Sequence, residues 1–332
     1  METAQVSRRD FFVLGGAAVG ALASPGESHA EYRVRDSDDL ASALAAAESG
    51  RFGRLTISLP AQTYVLADTA RITQSNVAVI AEPGTKVRLA NHVNQPVIAI
   101  GSQADPPAGF IENVYLFGLD VDGNKANQDQ ETALGRPWIR NNGIDVRAVR
   151  RLVVDNVVAH DARSGGLVTS YGSSDVYVVN SSFERNFFDG LAYYDSQRIH
   201  TRGCTMLANG AAGVSIDNNL RDCIFSDCIA DGNLDVGIFA RYARELRFNN
   251  CVIKNSHSHA TFLSHDQNGN GVHDLLFCGC HVLFNGGHGI YVASTADRSD
   301  RTSVVGCVFR GNTGSPVKEE GSPISQAANI VQ

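Results

Sequence analysis

Gly143-Ile144-Asp145-Val146, Gly166-Leu167-Val168, Gly190-Leu191-Ala192-Tyr193, Gly213-Val214-Ser215-Ile216, Gly237-Ile238-Phe239-Ala240 and Gly289-Ile290-Tyr291-Val292 repeat one pattern. A glycine is followed by an aliphatic residue, a variable residue and a second apolar residue. Ala260-Thr261-Phe262-Leu263 is a weaker copy. Subtracting residue numbers gives spacings of 23, 24, 23, 24, 23 and 29 residues. Such a period belongs to a solenoid, in which each repeat buries its apolar face only by stacking on its neighbours.

Two further ladders share the period. Asn186, Asn209, Asn233 and Asn285 each stand four residues before the glycine, and Asn255 stands five before Ala260. Asparagine tolerates turn geometry, and stacked asparagines hydrogen-bond along the stack. Cys204, Cys228, Cys251, Cys280 and Cys307 form the other ladder. They read as a buried stack of small apolar side chains. Seven cysteines leave at least one unpaired within the chain, and Cys223, Cys278 and Cys280 lack a convincing zinc spacing.

Short alternating strands rich in Val, Ile and Phe, separated by Gly/Asn turns, leave no room for a helix in a 23-residue coil. The leucine frame of leucine-rich repeats is missing. The fold expected is all-β: a right-handed parallel β-helix with three strands per coil, the coils stacked about 4.8 Å apart.

Upstream, Asp36-Ser37-Asp38-Asp39 precedes Leu40-Ala41-Ser42-Ala43-Leu44-Ala45-Ala46-Ala47, an N-cap followed by a helix former. Strands follow at Leu55-Thr56-Ile57-Ser58-Leu59-Pro60 and Thr63-Tyr64-Val65-Leu66. A capping helix, a strand ending in Leu-Pro and a short Thr-Tyr strand resemble the start of pectin-lyase-like proteins. The resemblance covers residues 36 to about 315. The expected division is a signal at 1–30, an N-terminal cap at 31–54, the β-helix at 55–315 and a C-terminal tail at 316–332.

The formal charge is −7, and about −6 without residues 1–30. This balance disfavours a nucleic-acid binder, which normally carries a basic face. Ser7-Arg8-Arg9-Asp10-Phe11-Phe12 leads into an apolar run from Val13 to Ala23, too short to span a bilayer. The paired arginines resemble the bacterial twin-arginine export signal, with Ser28-His29-Ala30 or Ala21-Leu22-Ala23 as the cleavage site. An uncleaved anchor is the competing reading. The expectation is a periplasmic or secreted monomer, free of the membrane once the signal is cleaved.

Side chains one and three residues after each glycine are apolar and point inward; those two and four after point outward. The second, fourth and fifth positions thus gather Tyr194, Asp195, Asp217, Asn218, Arg241, Tyr242, His265 and Asp266 on one face. Arg147, Tyr171 and Tyr291 extend it. Aromatic surface with convergent polar groups suits a sugar groove. Long loops in a repeat gather on the binding face. Asn124 to Asn141, carrying Arg136, Trp138 and Arg140, and the lengthened turn Asp266–Gly271 are expected to wall it. Ala296 to Arg301 lengthens the next turn.

Phe262-Leu263-Ser264-His265-Asp266, with His288-Gly289-Ile290 one coil on, resembles the catalytic stretch of mannuronan C5-epimerases, which reads aromatic, Asp, Pro, His, Asp or Glu. Leu263 and Ser264 depart from it, so the resemblance implies only His265, as base at C5, and Asp266. Gly287-His288-Gly289-Ile290 also resembles a polygalacturonase motif, but the paired aspartates of that family are absent.

Two chemistries compete. A lyase or epimerase on a uronic-acid polymer needs a base, an acid and a cation for the carboxylate: His265 or Tyr194 for the first two, Arg241 for the third. A glycoside hydrolase or fructan-processing transferase would use Asp195 and Asp217, expected at near-equivalent places on adjacent coils. A non-catalytic glycan-binding protein is a third reading. No motif requires a cofactor; Ca²⁺ shared between sugar and Asp carboxylates is compatible with the face but demanded by no ligand spacing.

Overall fold

A computed structural model describes residues 29–48, 53–293, 299–320 and 323–332. Most of the expected signal segment, residues 1–28, lies outside these, as does much of the turn beginning at Ala296. The chain winds into about a dozen coils whose strands build three long parallel sheets of 12, 11 and 10 strands. One coil shows the plan. Leu191–Tyr194 lies in the 10-stranded sheet, Ser196–Arg202 in the 12-stranded sheet and Thr205–Leu207 in the 11-stranded sheet.

The glycine repeat sets the register. Leu191 pairs with Leu167 on one side and Val214 on the other, Tyr193 with Thr169 and Ile216. Identical positions therefore stack, and the first and third residues after each glycine are buried throughout. Like side chains run through the interior as columns. Phe225, Phe248 and Phe277 stack at centroid distances of 4.7 and 5.0 Å. Each fully buried ring contributes roughly 1.5–3 kcal/mol of transfer free energy. The five laddered cysteines are buried and unpaired; Cys228, for example, directs its thiol to the carbonyl of Thr201 at 3.6 Å in the preceding coil.

The asparagine ladder runs from Asn186 to Asn233 and again from Ser256 to Asn312, and differs from the expected one at the rung between, where Ser256 Oγ has no partner. Asn209 donates to Asn233 Oδ1 (3.0 Å) and accepts from Asn186 Nδ2 (3.0 Å) and the Asn186 N–H (3.1 Å). In the coil holding Asn255 the rung is Ser256, whose N–H donates to Asn285 Oδ1 at 3.0 Å. Asn255 is exposed and bonds Asp231. Asn312 adds a rung beyond Asn285.

Helix Ser37–Glu48 closes the N-terminal end, with Asp36 Oδ1 accepting the Asp39 N–H at 2.8 Å. Leu40, Ala43 and Leu44 are buried in the same core as the first coils. The cap is more than a helix. Strand His29–Arg33 pairs in parallel with Arg54–Leu59 and covers that sheet edge, so a boundary at residue 30 falls inside a strand. The C-terminal segment also differs from the expected tail. Val317–Glu319, Ile324–Ala327 and Ile330–Val331 add one strand to each sheet. Its polar, largely exposed side chains hid a final coil that is held by backbone pairing.

Candidate active site on the 10-stranded sheet

The outer face of the 10-stranded sheet divides into three zones. At the N-terminal end the loop from Ser102 to Phe110 and the Asn124–Asn141 insertion, which contains the hairpin Thr132–Ala133/Arg136–Arg140, lie near the sheet. Arg147, expected to touch substrate, is instead 2% exposed and joins these two segments. It donates to the carbonyls of Trp138 (3.0 Å) and Ala104 (2.8 Å) and stacks on the Tyr171 ring at 4.4 Å. Tyr171 in turn donates to Asp105 at 2.7 Å, and the Trp138 indole to the Gln103 carbonyl at 3.1 Å. Arg147, Tyr171 and Trp138 therefore hold a wall together, and only Trp138 of the three keeps its aromatic surface substantially exposed.

The middle zone brings together Tyr194, Ser215, Asp217 and Arg241 with one carboxyl that the outward columns did not contain. Asp189 stands immediately before Gly190, is 4% exposed and accepts the Ala212 N–H at 2.9 Å through Oδ1. Its Oδ2 accepts from the Tyr194 hydroxyl at 3.3 Å, and that hydroxyl lies 3.4 Å from Ser215 Oγ. Burial pushes Asp189 up to about 6, against the lowering effect of the Ala212 bond, Tyr194 and the Arg140 charge. Burial, and then the neighbouring Asp189, hold the Tyr194 phenol well above its usual range. Asp217 is buried and accepts from both Nε (2.9 Å) and Nη2 of Arg241. That bond raises the guanidinium, and the Tyr194 phenol also acts on it. Arg140 pairs with Glu131, stacks over Phe188 at 5.5 Å and acts on both Asp189 and Tyr194. Tyr194 thus lies within the fields of two arginines and against a carboxyl poised near neutrality.

Asp145 is a second such group. It is fully buried, accepts from Asn142 Nδ2 at 2.9 Å, leaves Oδ2 without a partner, and is raised by burial to about 6.

The expected Asp195/Asp217 pair does not form at equivalent places. The register sets Asp217 opposite Tyr194, and Asp195 lies one residue further, at the corner. There Tyr171, Asp195, Asn218 and Tyr242 all take left-handed backbone, with φ of 55°, 41°, 56° and 48°. Side chains on such a corner leave the plane of the strand. Asp195 and Asn218 are exposed beside the site rather than over it. Asp266 is likewise engaged elsewhere. It caps its own loop through the N–H groups of Asn268 (2.9 Å) and Asn270 (2.8 Å) and Nδ2 of Asn270. His265 is half-buried beyond Ser264, which pairs with Arg241, and its Nδ1 has no partner.

The third zone is aromatic. Phe239, Phe262 and Tyr291 follow one another in register, at centroid distances of 6.1 and 5.3 Å. His259 and His288 flank them, stacked at 5.2 Å with planes 8° apart.

The residue before each glycine explains both Asp189 and these histidines. That column accepts a backbone N–H from the next coil: Asn142 from Gly165 (3.0 Å), Asp189 from Ala212, His259 from His288 and His288 from Ser315 (both 2.9 Å). Gly165, Ala212 and Val236 fill the same column without an acceptor side chain, so the bond is an option of the column and the rest of such a side chain is free for chemistry. With Gly165 and Ala212 on either side of it in the column, no periodic sequence signal marked Asp189. Among the described residues no three His, Cys, Asp or Glu side chains converge as a metal cage.

A solenoid of coils stacked into three parallel sheets defines the class, and the chain belongs to the right-handed β-helix family. The family model, described as the right handed beta helix region, matches residues 111–274 and again 218–327. No curated protein sequence matches significantly. Among solved structures, the chain is similar to the A-module of the Azotobacter vinelandii mannuronan C-5 epimerase AlgE6 (13% identity, TM-score 0.55), covering 91% of this chain and 99% of that one. It is similar to an alginate lyase from Paenibacillus (12%, 0.59; 90% and 99% covered). It is also similar to the Streptococcus pneumoniae surface protein and adhesin PfbA (13%, 0.62; 90% and 94%). At these identities the likeness is one of fold.

Proposed function

We propose that this is an exported protein that processes a uronic-acid polysaccharide in the groove over the 10-stranded sheet, by proton transfer beside the sugar carboxylate. The carrying observation is the Tyr194 hydroxyl on a buried Asp189 carboxyl raised to about 6, between Arg140 and Arg241. A general base serves best when its pKa lies near the working pH. Above pH 6 Asp189 is ionised and takes the Tyr194 proton as the phenol oxygen takes the proton at C5. The negative charge that develops on the sugar carboxylate is met by Arg241, whose remaining nitrogen is not committed to Asp217, and by Arg140. Expulsion of the 4-linked oxygen, protonated as it leaves, then gives a lyase product; delivery of a different proton to C5 from the opposite face, while the abstracted one stays on the Tyr194–Asp189 pair, gives the epimer.

His265, half-buried at the edge of this face, is the candidate acid that supplies the proton on the opposite side. Similarity to an epimerase and a lyase agrees with this reading without deciding between them. The test is a screen of purified protein against alginate, polygalacturonate and fructan, read by ultraviolet absorbance, reducing ends and proton NMR. Unsaturated or C5-inverted uronate supports the proposal. Reducing ends without unsaturation move the function to hydrolysis, and binding without product leaves a glycan-binding module. Unchanged turnover in His265→Ala removes that residue from the mechanism.

A further inference from the structure

The aromatic zone beyond Arg241 is not needed for proton transfer, yet it is built with care. His259 and His288 each use Nδ1 to accept a backbone N–H. An imidazole nitrogen that accepts carries no proton, so both rings are neutral and hold their proton on Nε2. Burial lowers His259 in the same sense. The same tautomer disfavours a metal, because ligation through Nε2 would require that proton to leave. Each ring lies flat against a glycine of the next coil. A Cβ at Gly287 would stand 2.4 Å from His259 Nδ1, and one at Gly314 2.4 Å from His288 Nδ1. The two rings repeat at 5.2 Å, about one coil rise.

A bare structural role does not call for imidazole, since Asn142 fills the same column with an amide. Imidazole adds an outward Nε2–H donor and an aromatic face. Phe262 and Tyr291 add half-exposed rings in the column where earlier coils carry the buried Val168, Ala192 and Ser215. Tyr291 Oη is held by Glu320 at 2.7 Å, which fixes its ring edge-on to His259. Uncharged donors beside aromatic faces match the hydroxyls and C–H faces of a pyranose, not its carboxylate.

We propose that His259, His288, Phe262 and Tyr291 form an aromatic subsite that grips a pyranose ring of the same polysaccharide chain, several residues from the reacting sugar. This rests on the proposed function, in that it places both ends of one glycan along one groove. It makes the protein a reader of chain length.

The double variant His259→Asn/His288→Asn keeps the backbone acceptors, as Asn142 does, and removes the rings and the Nε2–H donors. Wild type, this variant and Asp189→Asn are titrated with tetramers and octamers of mannuronate and of galacturonate, with circular dichroism to confirm folding. The expected result is roughly tenfold weaker octamer binding in the histidine variant with tetramer binding unchanged. Turnover of polymer then shows a raised KM at constant kcat, whereas Asp189→Asn loses kcat and keeps octamer affinity. Equal octamer affinity in wild type and the folded histidine variant overturns the subsite and leaves the proton-transfer reading intact. Wild type that binds none of the four probes overturns both. A variant that unfolds is replaced by Phe262→Leu/Tyr291→Leu, judged by the same octamer-to-tetramer ratio.

Discussion

Replacing Asn209 with alanine removes the middle of the asparagine ladder. Four hydrogen bonds go with the side chain: to Phe183 O (3.0 Å) and Asn233 Oδ1 (3.0 Å), and from the Asn186 N–H (3.1 Å) and Nδ2 (3.0 Å). The site is dry, with Asn209 itself at 0% exposure. Asn186 Nδ2 retains the Ala159 carbonyl at 3.3 Å, but its N–H loses the Asn209 acceptor. A net hydrogen bond is worth about 1 kcal/mol and an orphaned buried group costs about 1–3 kcal/mol, so the expected loss is roughly 3–5 kcal/mol. Asn255→Ala is the control, because that side chain is exposed and makes a single bond to Asp231; with alanine strained on its left-handed backbone (φ 54°), its cost should stay near about 1 kcal/mol. Urea unfolding followed by far-ultraviolet circular dichroism gives both numbers when the m-values agree. Asn209→Ala and Asn255→Ala unfolding within about 1 kcal/mol of each other would refute the claim that the ladder pins the coils.

Asp145 and Asp189, each raised to about 6, are protonated more readily in the folded chain than in the unfolded one. Their contribution is therefore fully present below the unfolded pKa near 4 and is lost as pH rises to about 6, at about 3 kcal/mol per group. A stability profile over that window should flatten by one group's share in Asp145→Asn and by two in the double variant with Asp189→Asn; an unchanged slope would show that neither titrates as argued. A thiol reagent should modify Cys278 alone in the folded protein and all seven cysteines after denaturation, since the other six are buried; fast reaction of two or more native thiols contradicts the stack. Arg147→Ala should leave the solenoid folded but expose the segments around Ala104 and Trp138 to limited proteolysis, because those carbonyls lose their shared donor. Protease resistance equal to wild type would mean the two walls stand without it.

Much of the fold was legible because the glycine-led strand, the cysteines and the asparagines all keep one period, and in a solenoid period is structure. A one-residue slip was less legible: Ser256 takes the rung position in place of Asn255 because only a compact side chain fits there, and its Oγ stays without a partner. The last coil was hidden because its strands bury almost nothing, so no apolar pattern marks them. On the candidate face, outward register alone groups Tyr194, Asp217 and Arg241, and the structure places them side by side. Asp189 was not legible, since it precedes the strand, in a column that the coils fill with residues from glycine to histidine. Arg147 was misplaced for the opposite reason. Its register is outward, but the Ser102–Phe110 loop and the Asn124–Asn141 insertion fold back over it, and no periodicity within the coils encodes that cover.

The most direct measurement is turnover of the responsive uronate polymer by Asp189→Asn against wild type across pH 4–8. The account expects wild-type activity to rise through about pH 6 as Asp189 ionises, and the folded variant to lose on the order of a hundredfold and the rise with it. A variant that keeps wild-type turnover and the same pH rise would contradict the assignment of Asp189 and Tyr194 as the reacting pair.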